Sequence, residues 1–386
     1  MKSKSANSRN FGLDLLRCLA IGGVLFGHGQ YFLYPYVPPI PVGFGRNLHL
    51  YHFGQAGAMG VELFFVLSGF LIGGLLLRIG ADLRHRSELL RFYVRRWFRT
   101  LPNYYVFLAL NVVCFAPLAL APPFLPFLQN FAGNHVTFFP ESWSLGVEEW
   151  FYLLFPFVTW VLLRRGRSFD AAFLTAGFGL YGVSTILRMA YACNPANGWG
   201  VIRIVTVLRF DALMTGILAA WLAARRPTLF SRHCALKALV GVALLFFCYA
   251  TFYWNHAHNE SFFAHTFRFN LISLGYALLL PLATSLHGSG SWLGALIERL
   301  ARWSYAMYFI NLPLFYFIVH VVFTHTQTSA FEGWFGFATM EVGTILLAGL
   351  WYSLFERPTT ALRERYHPRR RLNPPPLLKI DPPALG

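Results

Sequence analysis

The stretch LDLLRCLAIGGVLFGH, residues 13–28, places ionisable side chains inside an otherwise apolar segment. Arg17 and His28 are almost three whole helical turns apart, so on a helix they share one face, about 16 Å apart along the axis. Asp14 lies three residues before Arg17 on the same side and can pair with it. Ionisable groups in an apolar span mark a site by default. The alternative is that Arg17 reaches the headgroups and His28 is hydrogen-bonded within a helix bundle.

A second group of candidates is the basic stretch RFYVRRWFRTLP, residues 91–102. Arg95, Arg96 and Arg99 recur at helical spacing, and planar guanidinium groups bind phosphates bidentately. Pro102 predicts that a span begins here, because proline favours the first turn of a helix. On composition alone, an interfacial helix with a basic face is the favoured interpretation. A phosphate-binding surface is the alternative.

Two adjacent carboxylates, Glu148 and Glu149, stand out in FPESWSLGVEEWFYLLFP, residues 139–156. Successive helical residues point about 100° apart, so only one of the two needs to face a bundle. We expect both to lie near the outer membrane face, where one could act as a general base or orient His28. The alternative is that one pairs with an arginine while the other reaches outward.

Another polar pair interrupts the apolar stretch LRFDALMTG, residues 208–216. Neighbouring side chains on a helix do not face each other, so Arg209 and Asp211 each need another partner. A structural ion-pair role is the favoured interpretation for both. Ser68 in LSGF is interpreted as a helix-packing residue beside Gly69.

The elements that must position these residues are predicted to be membrane helices. Hydrophobic residues make up 56% of the 386-residue chain and charged residues only 12%. Apolar stretches near 20 residues recur, each long enough to cross about 30 Å of hydrocarbon. The predicted fold class is all-α, a polytopic transmembrane helix bundle. Ten spans are predicted, at about 11–32, 56–78, 100–121, 143–163, 169–190, 201–223, 236–254, 267–286, 301–323 and 332–355.

The distribution of basic residues supports this topology. With both termini in the cytoplasm, the inner segments hold 26 of the 32 Lys and Arg, as the positive-inside rule requires. The net charge of +16 is therefore explained by membrane lipids with anionic headgroups, and no nucleic-acid partner is expected. A bacterial inner membrane is the expected location.

The chain is predicted to be organised around one membrane domain. Residues 1–10 form a cytoplasmic amino-terminal segment, 11–356 the transmembrane domain, and 357–386 a basic, proline-rich tail that is expected to be disordered. The G-x-G-x-x-G match at 177–182 lies within a predicted membrane helix and indicates no dinucleotide loop. The histidines in 256–258 lack carboxylate or cysteine ligands at suitable spacing, so no metal site is predicted.

Several of these stretches together resemble acyltransferase family 3, a group of membrane proteins that O-acylate sugars and other extracytoplasmic acceptors. The match covers the whole chain in family order. It consists of LDLLRCLAIGGVLFGH, GVELFFVLSGFLI, RRWFRTLP and SWSLGVEEWFYLLFP, with weaker matches in LRFDALMTGILAAW, SYAMYFINLPLF and FERP.

The resemblance implies a cytoplasmic acyl-CoA donor, usually acetyl-CoA, and a hydroxyl acceptor on a saccharide or lipid-linked glycan. It assigns Arg17 and His28 as the essential pair and implies that Glu148 or Glu149 is the acidic motif. Arginines at the inner face, Arg95, Arg96 and Arg99, would hold the CoA phosphates. The family often has histidine where this chain has Asn311, which can hydrogen-bond but cannot titrate.

On this basis His28 is expected to act as general base on the acceptor hydroxyl, since imidazole titrates near neutrality. A glutamate would fix its tautomer, and an acyl-histidine relay is the alternative route. Asp14, Asp211 and Asn311 are expected to support the site. Competing hypotheses are acylation of a non-saccharide small molecule, an unrelated membrane O-acyltransferase fold, and a transporter whose path is lined by Arg17 and His28.

Overall fold

Long α-helices dominate the computed structural model, which describes residues 10–43, 46–115, 118–133, 138–194, 197–254, 261–288, 290–323 and 329–366. Within these ranges the long helices are α1 Phe11–Gly29, α2 Gln55–Ile79, α3 Arg86–Phe115, α4 Ser142–Arg164, α5 Phe169–Ala192, α6 Phe210–Arg225, α7 Cys234–Trp254, α8 Phe267–Ser285, α9 Trp292–Phe317 and α10 Ala330–Trp351. Shorter helices are Trp199–Ile204, Pro227–Ser231, Phe262–His265 and Arg357–Tyr366.

Side-chain caps explain where several of these helices begin. Asn10 accepts a hydrogen bond from the backbone amide of Leu13 at the start of α1. Ser168 and Ser291 cap α5 and α9 in the same way. Such caps satisfy amides that have no partner within the helix.

Eight helical segments are long and apolar enough to cross a membrane, so the chain is an all-α polytopic bundle. The two long helices outside this set are α3, whose first half is rich in arginine, and α6, which has 16 residues. The predicted count of ten spans and the cytoplasmic position of both termini stay predictions. Residues 1–9, 256–258 and 367–386, on which further predictions fell, lie outside the described residues.

The predicted start of the third span was wrong. The structure has one helix over Arg86–Phe115, so the basic stretch at 91–102 is the first half of α3 and Pro102 lies inside the helix. Arginine is a good helix former, which favours extension of the helix toward its amino end. A proline inside a membrane helix is tolerated where neighbouring groups satisfy the freed backbone.

The predicted sixth span, 201–223, is interrupted. A short helix at Trp199–Ile204 and a turn at Thr206–Leu208 precede α6. Asn130 stabilises this break. Its side-chain amide donates to the Ile204 carbonyl (2.5 Å), and its backbone carbonyl accepts from the Thr206 amide (2.8 Å). The backbone hydrogen bonds that a continuous helix would use are thereby satisfied from outside.

A small hairpin was missed by the all-α prediction. Strands β1, Ile40–Gly43, and β2, Arg46–Leu48, pair antiparallel between α1 and α2, with Ile40 opposite Leu48. A two-stranded ribbon of this size leaves no hydrophobic periodicity long enough to read in the sequence.

Helix α2 is the centre of the bundle. In its most apolar stretch of 18 residues, 67% of the residues are buried, compared with 17% in α7. Helix α2 packs backbone to backbone against α6 through two glycines. A side chain at Gly69 would collide with the Leu213 carbonyl, and one at Gly216 would collide with the Val66 carbonyl. Small residues of this kind allow close helix approach in membranes. The contact fixes α6 beside the polar face of α2.

Candidate active site

Glu148 is the hub of a polar cluster in the middle of the bundle. Its Oε1 accepts a hydrogen bond from Ser68 Oγ (2.7 Å), and its Oε2 accepts from Tyr152 OH (2.8 Å) and from Arg96 (3.4 Å). The Arg96 guanidinium also lies 3.9 Å from the centre of the Tyr152 ring. Cation–π and charge-assisted contacts thus fix Arg96 from two directions.

The structure corrects the predicted separation of the arginines from Glu148. Arg96 and Arg99 were predicted at the inner face and Glu148 at the outer face, yet Arg96 and Glu148 form an ion pair. Helices α3 and α4 run antiparallel, with Tyr93 OH bonded to the Leu153 carbonyl. Because α3 begins at Arg86, Arg96 lies about 15 Å along the helix from that end. Glu148 lies about 9 Å from the start of α4, so the cluster lies in the first third of each helix.

Ser68 was interpreted from the sequence as a packing residue, and this interpretation was wrong. Gly69 does make the close helix contact, but Ser68 turns to α4 and donates to Glu148. A serine in an apolar run carries no sequence signal that separates these two roles. Only the position of α4 reveals it.

Arg99 lies one turn beyond Arg96 on α3, and its side chain is exposed. The charges of Arg96 and Glu356 both act on it. Glu356, at the end of the last span, is 7% exposed, and its Oε2 has no hydrogen-bond partner among the described residues. Arg95 is half-buried, and of the three arginines predicted to hold the CoA phosphates Arg96 is the one bonded to Glu148.

Glu149 points away from the contacts made by Glu148, as their adjacency on the helix requires. It is 8% exposed, and neither carboxyl oxygen receives a hydrogen bond from a described residue. Arg96 and Thr100 lie nearby. Glu149 therefore borders the same cluster as a buried carboxyl without a direct partner.

His28 lies at the carboxyl-terminal end of α1, where Asn311 of α9 holds its ring. His28 Nδ1 is 2.7 Å from Asn311 Oδ1. The Asn311 amide nitrogen donates to the carbonyls of Met307 (3.1 Å) and Tyr308 (2.5 Å), so its oxygen must be the group that faces His28. Nδ1 therefore carries the proton and donates it, which leaves the lone pair of Nε2 available.

We expected a glutamate to contact His28. This expectation was wrong for the residues that the structure describes. Tyr305 OH donates to the Thr100 carbonyl (3.2 Å), so these two residues share a level. Asn311 lies six residues beyond Tyr305, a rise of about 9 Å toward the carboxyl-terminal end of α9. His28 consequently lies at a different level of the bundle from the Glu148 cluster, and an asparagine orients it instead of a glutamate.

The predicted pairing of Asp14 with Arg17 is confirmed. Their charged groups lie 3.8 Å apart, with Asp14 buried and Arg17 half-buried. Both residues lie in the first half of α1. Arg17, the Glu148 cluster and His28 therefore occupy successive levels of one bundle.

A second network, whose charged side chains are buried, lies beside the first. Arg209 donates to both carboxylate oxygens of Glu62 (2.6 and 2.7 Å). Asp211 pairs with Arg188 (2.9 Å), and Asn270 bridges Asp211 and Arg188. As the sequence indicated, Arg209 and Asp211 each have another partner, although Arg209 Nε also lies 3.9 Å from Asp211 Oδ1. The sequence did not single out Glu62 or Arg188, because each is one charge within an apolar run.

Arg203 was counted from the sequence only as a charge on the outer side. In the structure its guanidinium lies over Trp143 (4.8 Å) and Trp199 (5.4 Å), and its charge reaches His28. Among the described residues, the His, Cys, Asp and Glu side chains form no group of three that could hold a metal ion.

Glu141, just before α4, is expected to make stability depend on pH. It is 3% exposed, and neither carboxyl oxygen has a hydrogen-bond partner among the described residues. Burial raises the pKa of Glu141 to about 8. An unfolded glutamate titrates near pH 4.3, so the folded state binds more protons between roughly pH 5 and 8. The free energy of unfolding should therefore fall as the pH rises through this window.

The measurement is thermal unfolding of the detergent-solubilised protein at pH 5, 6, 7 and 8. Glu141→Gln is expected to flatten the decline, since the amide cannot titrate. An undiminished decline in this variant would contradict the assignment to Glu141.

Comparison with known proteins identifies the family of this chain. A family model described as an acyltransferase domain, that of acyltransferase family 3, matches residues 10–352. The chain therefore belongs to acyltransferase family 3. Together with its eight apolar helical segments, this membership makes it an integral membrane protein.

Two relatives illustrate the relationship. O-acetyltransferase OatA of Staphylococcus aureus (strain NCTC 8325 / PS 47) is 24% identical over 341 residues, covering 80% of this chain and 51% of OatA. A protein of Staphylococcus aureus (strain COL), provisionally named an O-acetyltransferase, is 25% identical over 235 residues, covering 55% of this chain and 34% of that protein. The chain thus spans a third to a half of these relatives. No solved structure matches the chain.

Proposed function

We propose that this protein moves an acyl group, in particular acetyl, from cytoplasmic acyl-CoA to a hydroxyl of an extracytoplasmic or lipid-linked saccharide. The observation that carries the proposal is His28, whose ring is held by Asn311 with Nε2 left available. The names of the two Staphylococcus aureus relatives support acetyl as the group transferred. The proposal includes ten spans, both termini in the cytoplasm, and a bacterial inner membrane.

In this mechanism His28 is the general base. Its Nε2 takes the proton of the acceptor hydroxyl while the hydroxyl oxygen attacks the thioester carbonyl carbon. The tetrahedral intermediate then collapses with cleavage of the carbon–sulfur bond. The imidazolium returns its proton to the departing thiolate, so the products are the ester, the free CoA thiol and neutral His28.

The arginines on the inner side of His28 are proposed to bind the donor. The exposed guanidinium of Arg99 is the better placed to meet a CoA phosphate, because Arg96 is already held by Glu148 and Tyr152. Arg17 would contact the donor nearer the cytoplasmic end of α1. Arg95, half-buried one turn before Arg99, belongs to the same surface.

The contacts of Glu148 favour a positioning role. Both of its oxygens receive hydrogen bonds, so it orients Arg96 and is not poised to take a proton from a substrate. Glu149, without a direct partner, is the acidic group still available for proton movement. The two members of the predicted acidic pair thus have different proposed roles.

The test uses acetyl-CoA labelled on its acetyl group, added to membranes that contain the protein. Transfer of the label to saccharide is measured. The wild type is expected to move label into lipid-linked or surface glycan above the level of control membranes. Arg99→Gln should raise KM for acetyl-CoA by about 10- to 100-fold with little change in kcat, because a charge-assisted contact to the donor is lost.

Arg225→Gln is the matched control. Arg225 pairs with Asp170 on an exposed surface away from the cluster, so its loss should leave KM unchanged. No label transfer by the wild type to any hydroxyl acceptor would contradict the function. Equal KM values for Arg99→Gln and Arg225→Gln would contradict the donor site alone.

A further inference from the structure

Arg203 is a half-buried cation whose backbone is firmly held. The Asn130 side-chain amide donates to the carbonyls of Ile204 (2.5 Å) and Trp143 (2.9 Å), which ties the short Trp199–Ile204 helix to the start of α4. The Arg203 carbonyl accepts a hydrogen bond from Arg209 (2.9 Å). The Cα of Arg203 is therefore fixed relative to both α4 and α6.

The side chain of Arg203, in contrast, has no acceptor. Among the described residues it makes no hydrogen bond or ion pair, and its Nε is buried without a partner. Glu62 acts on its charge, but the carboxylate of Glu62 is bonded through both oxygens to Arg209. Buried polar groups in folded proteins are rarely left unsatisfied unless a ligand or water completes them. This guanidinium is thus available to an anion.

Two indole rings orient the guanidinium. Trp143 and Trp199 lie 4.8 and 5.4 Å from it, and Trp199 stacks in turn on Phe269 (5.9 Å between ring centres, 7° between planes). Contacts to the ring faces leave the N–H groups at the edges of the fork free for hydrogen bonding. The rings also place the charge in an apolar setting, since Trp143 is buried and Trp199 is covered by Phe269.

The position of Arg203 indicates which substrate it meets. Its guanidinium lies over Trp143, and the next residue, Ser144, bonds to the Tyr308 hydroxyl (2.6 Å). Tyr308 lies three residues before Asn311, which holds His28. These residues lie on the outer side of the Glu148 cluster, away from the arginines proposed to bind the donor. A ligand at Arg203 would therefore approach His28 from the acceptor side.

We infer that Arg203, oriented by Trp143 and Trp199, forms a binding site for an anionic oxygen group carried by a saccharide acceptor. A carboxylate on the sugar and a phosphate at its anomeric position both match the guanidinium fork. The inference rests on the proposed function in one respect, namely that the ligand is the acceptor of the acyl group. The anion site itself can be tested without any transfer reaction.

The test is calorimetric titration of the purified full chain in lipid nanodiscs, without acyl-CoA, using glucuronate, glucose 1-phosphate and glucose. At least one anionic probe should bind about 10- to 100-fold more tightly than glucose. The preferred anion tells whether carboxylate or phosphate is the ligand group. Arg203→Gln should remove the preference, Arg203→Lys should keep part of it, and Arg225→Gln should keep all of it.

Equal affinity of the wild type for all three probes would overturn the inference, and so would no binding of any probe. A preference that persists in Arg203→Gln would also overturn it. Size-exclusion elution of each variant shows whether it is folded, and Arg203→Lys provides the test if Arg203→Gln is not. Anion binding in a chain that transfers no label would leave this site standing and refute only the proposed function.

Discussion

His28→Ala is expected to lower kcat for acyl transfer by about a hundredfold to ten-thousandfold, the range that a positioned general base contributes. The KM for acetyl-CoA should change little, because the proposed donor contacts lie on the other side of the Glu148 cluster. The measurement is the initial rate of label transfer from acetyl-CoA in membranes that contain equal amounts of folded protein. A variant with the wild-type rate would exclude His28 as the base.

Asn311 supplies the matched comparison for His28. Asn311→Ala removes the acceptor that holds His28 Nδ1, so kcat should fall by about tenfold to a hundredfold while KM stays near the wild-type value. Asn311→Asp keeps an oxygen at that position and should recover most of the lost rate. Equal losses in Asn311→Ala and Asn311→Asp would indicate that Asn311 does not act by orienting the ring.

Glu62→Ala should destabilise the folded protein by about 3–5 kcal/mol, since it leaves the Arg209 charge buried without its partner. Both oxygens of Glu62 bond to Arg209, and the Arg209 side chain is fully buried. The expected result is a large drop in the unfolding temperature in detergent and in the fraction that elutes as a single species. The double variant Glu62→Leu with Arg209→Met should recover most of the loss, because no buried charge then remains unpaired.

Asp170→Asn is the control for this experiment. Asp170 pairs with Arg225 on the surface, where both side chains are more than 40% exposed. An exposed pair contributes about 0–1 kcal/mol. An unfolding temperature for Glu62→Ala as high as that of Asp170→Asn would show that the buried pair does not support the fold.

Most of the groups in the candidate site could be named from the sequence, but their levels could not. Arg96 and Glu148 each stand out, yet they were placed at opposite faces because Pro102 was interpreted as a helix start. Helix α3 begins at Arg86, well before Pro102. Arg96 therefore lies within the helix, at the level of Glu148. The position of a charged residue along the bundle cannot be assigned until both ends of its helix are known.

Other residues were missed because each is a single polar residue in an apolar run. The sequence shows no second polar residue at helical spacing that would mark it as part of a site. Ser68 and Glu62 lie six residues apart on α2 and contact different helices, α4 and the start of α6. Arg203 was counted by its sign alone, since the break before α6 was not predicted. Asn311 was singled out from the sequence as a departure from the family pattern, but its bond to His28 depends on the packing of α1 against α9.

The backbone contact at Gly69 and Gly216 has a mechanical consequence. Close-packed interiors resist gradual sliding, and here the two main chains touch with no side chain between them to yield. Helices α2 and α6 should therefore move as one rigid body, carrying Glu62, Arg209 and the start of the Arg203 site together. Any opening that admits a saccharide or releases its ester has to occur along a different seam, between helices that are separated by deformable side chains.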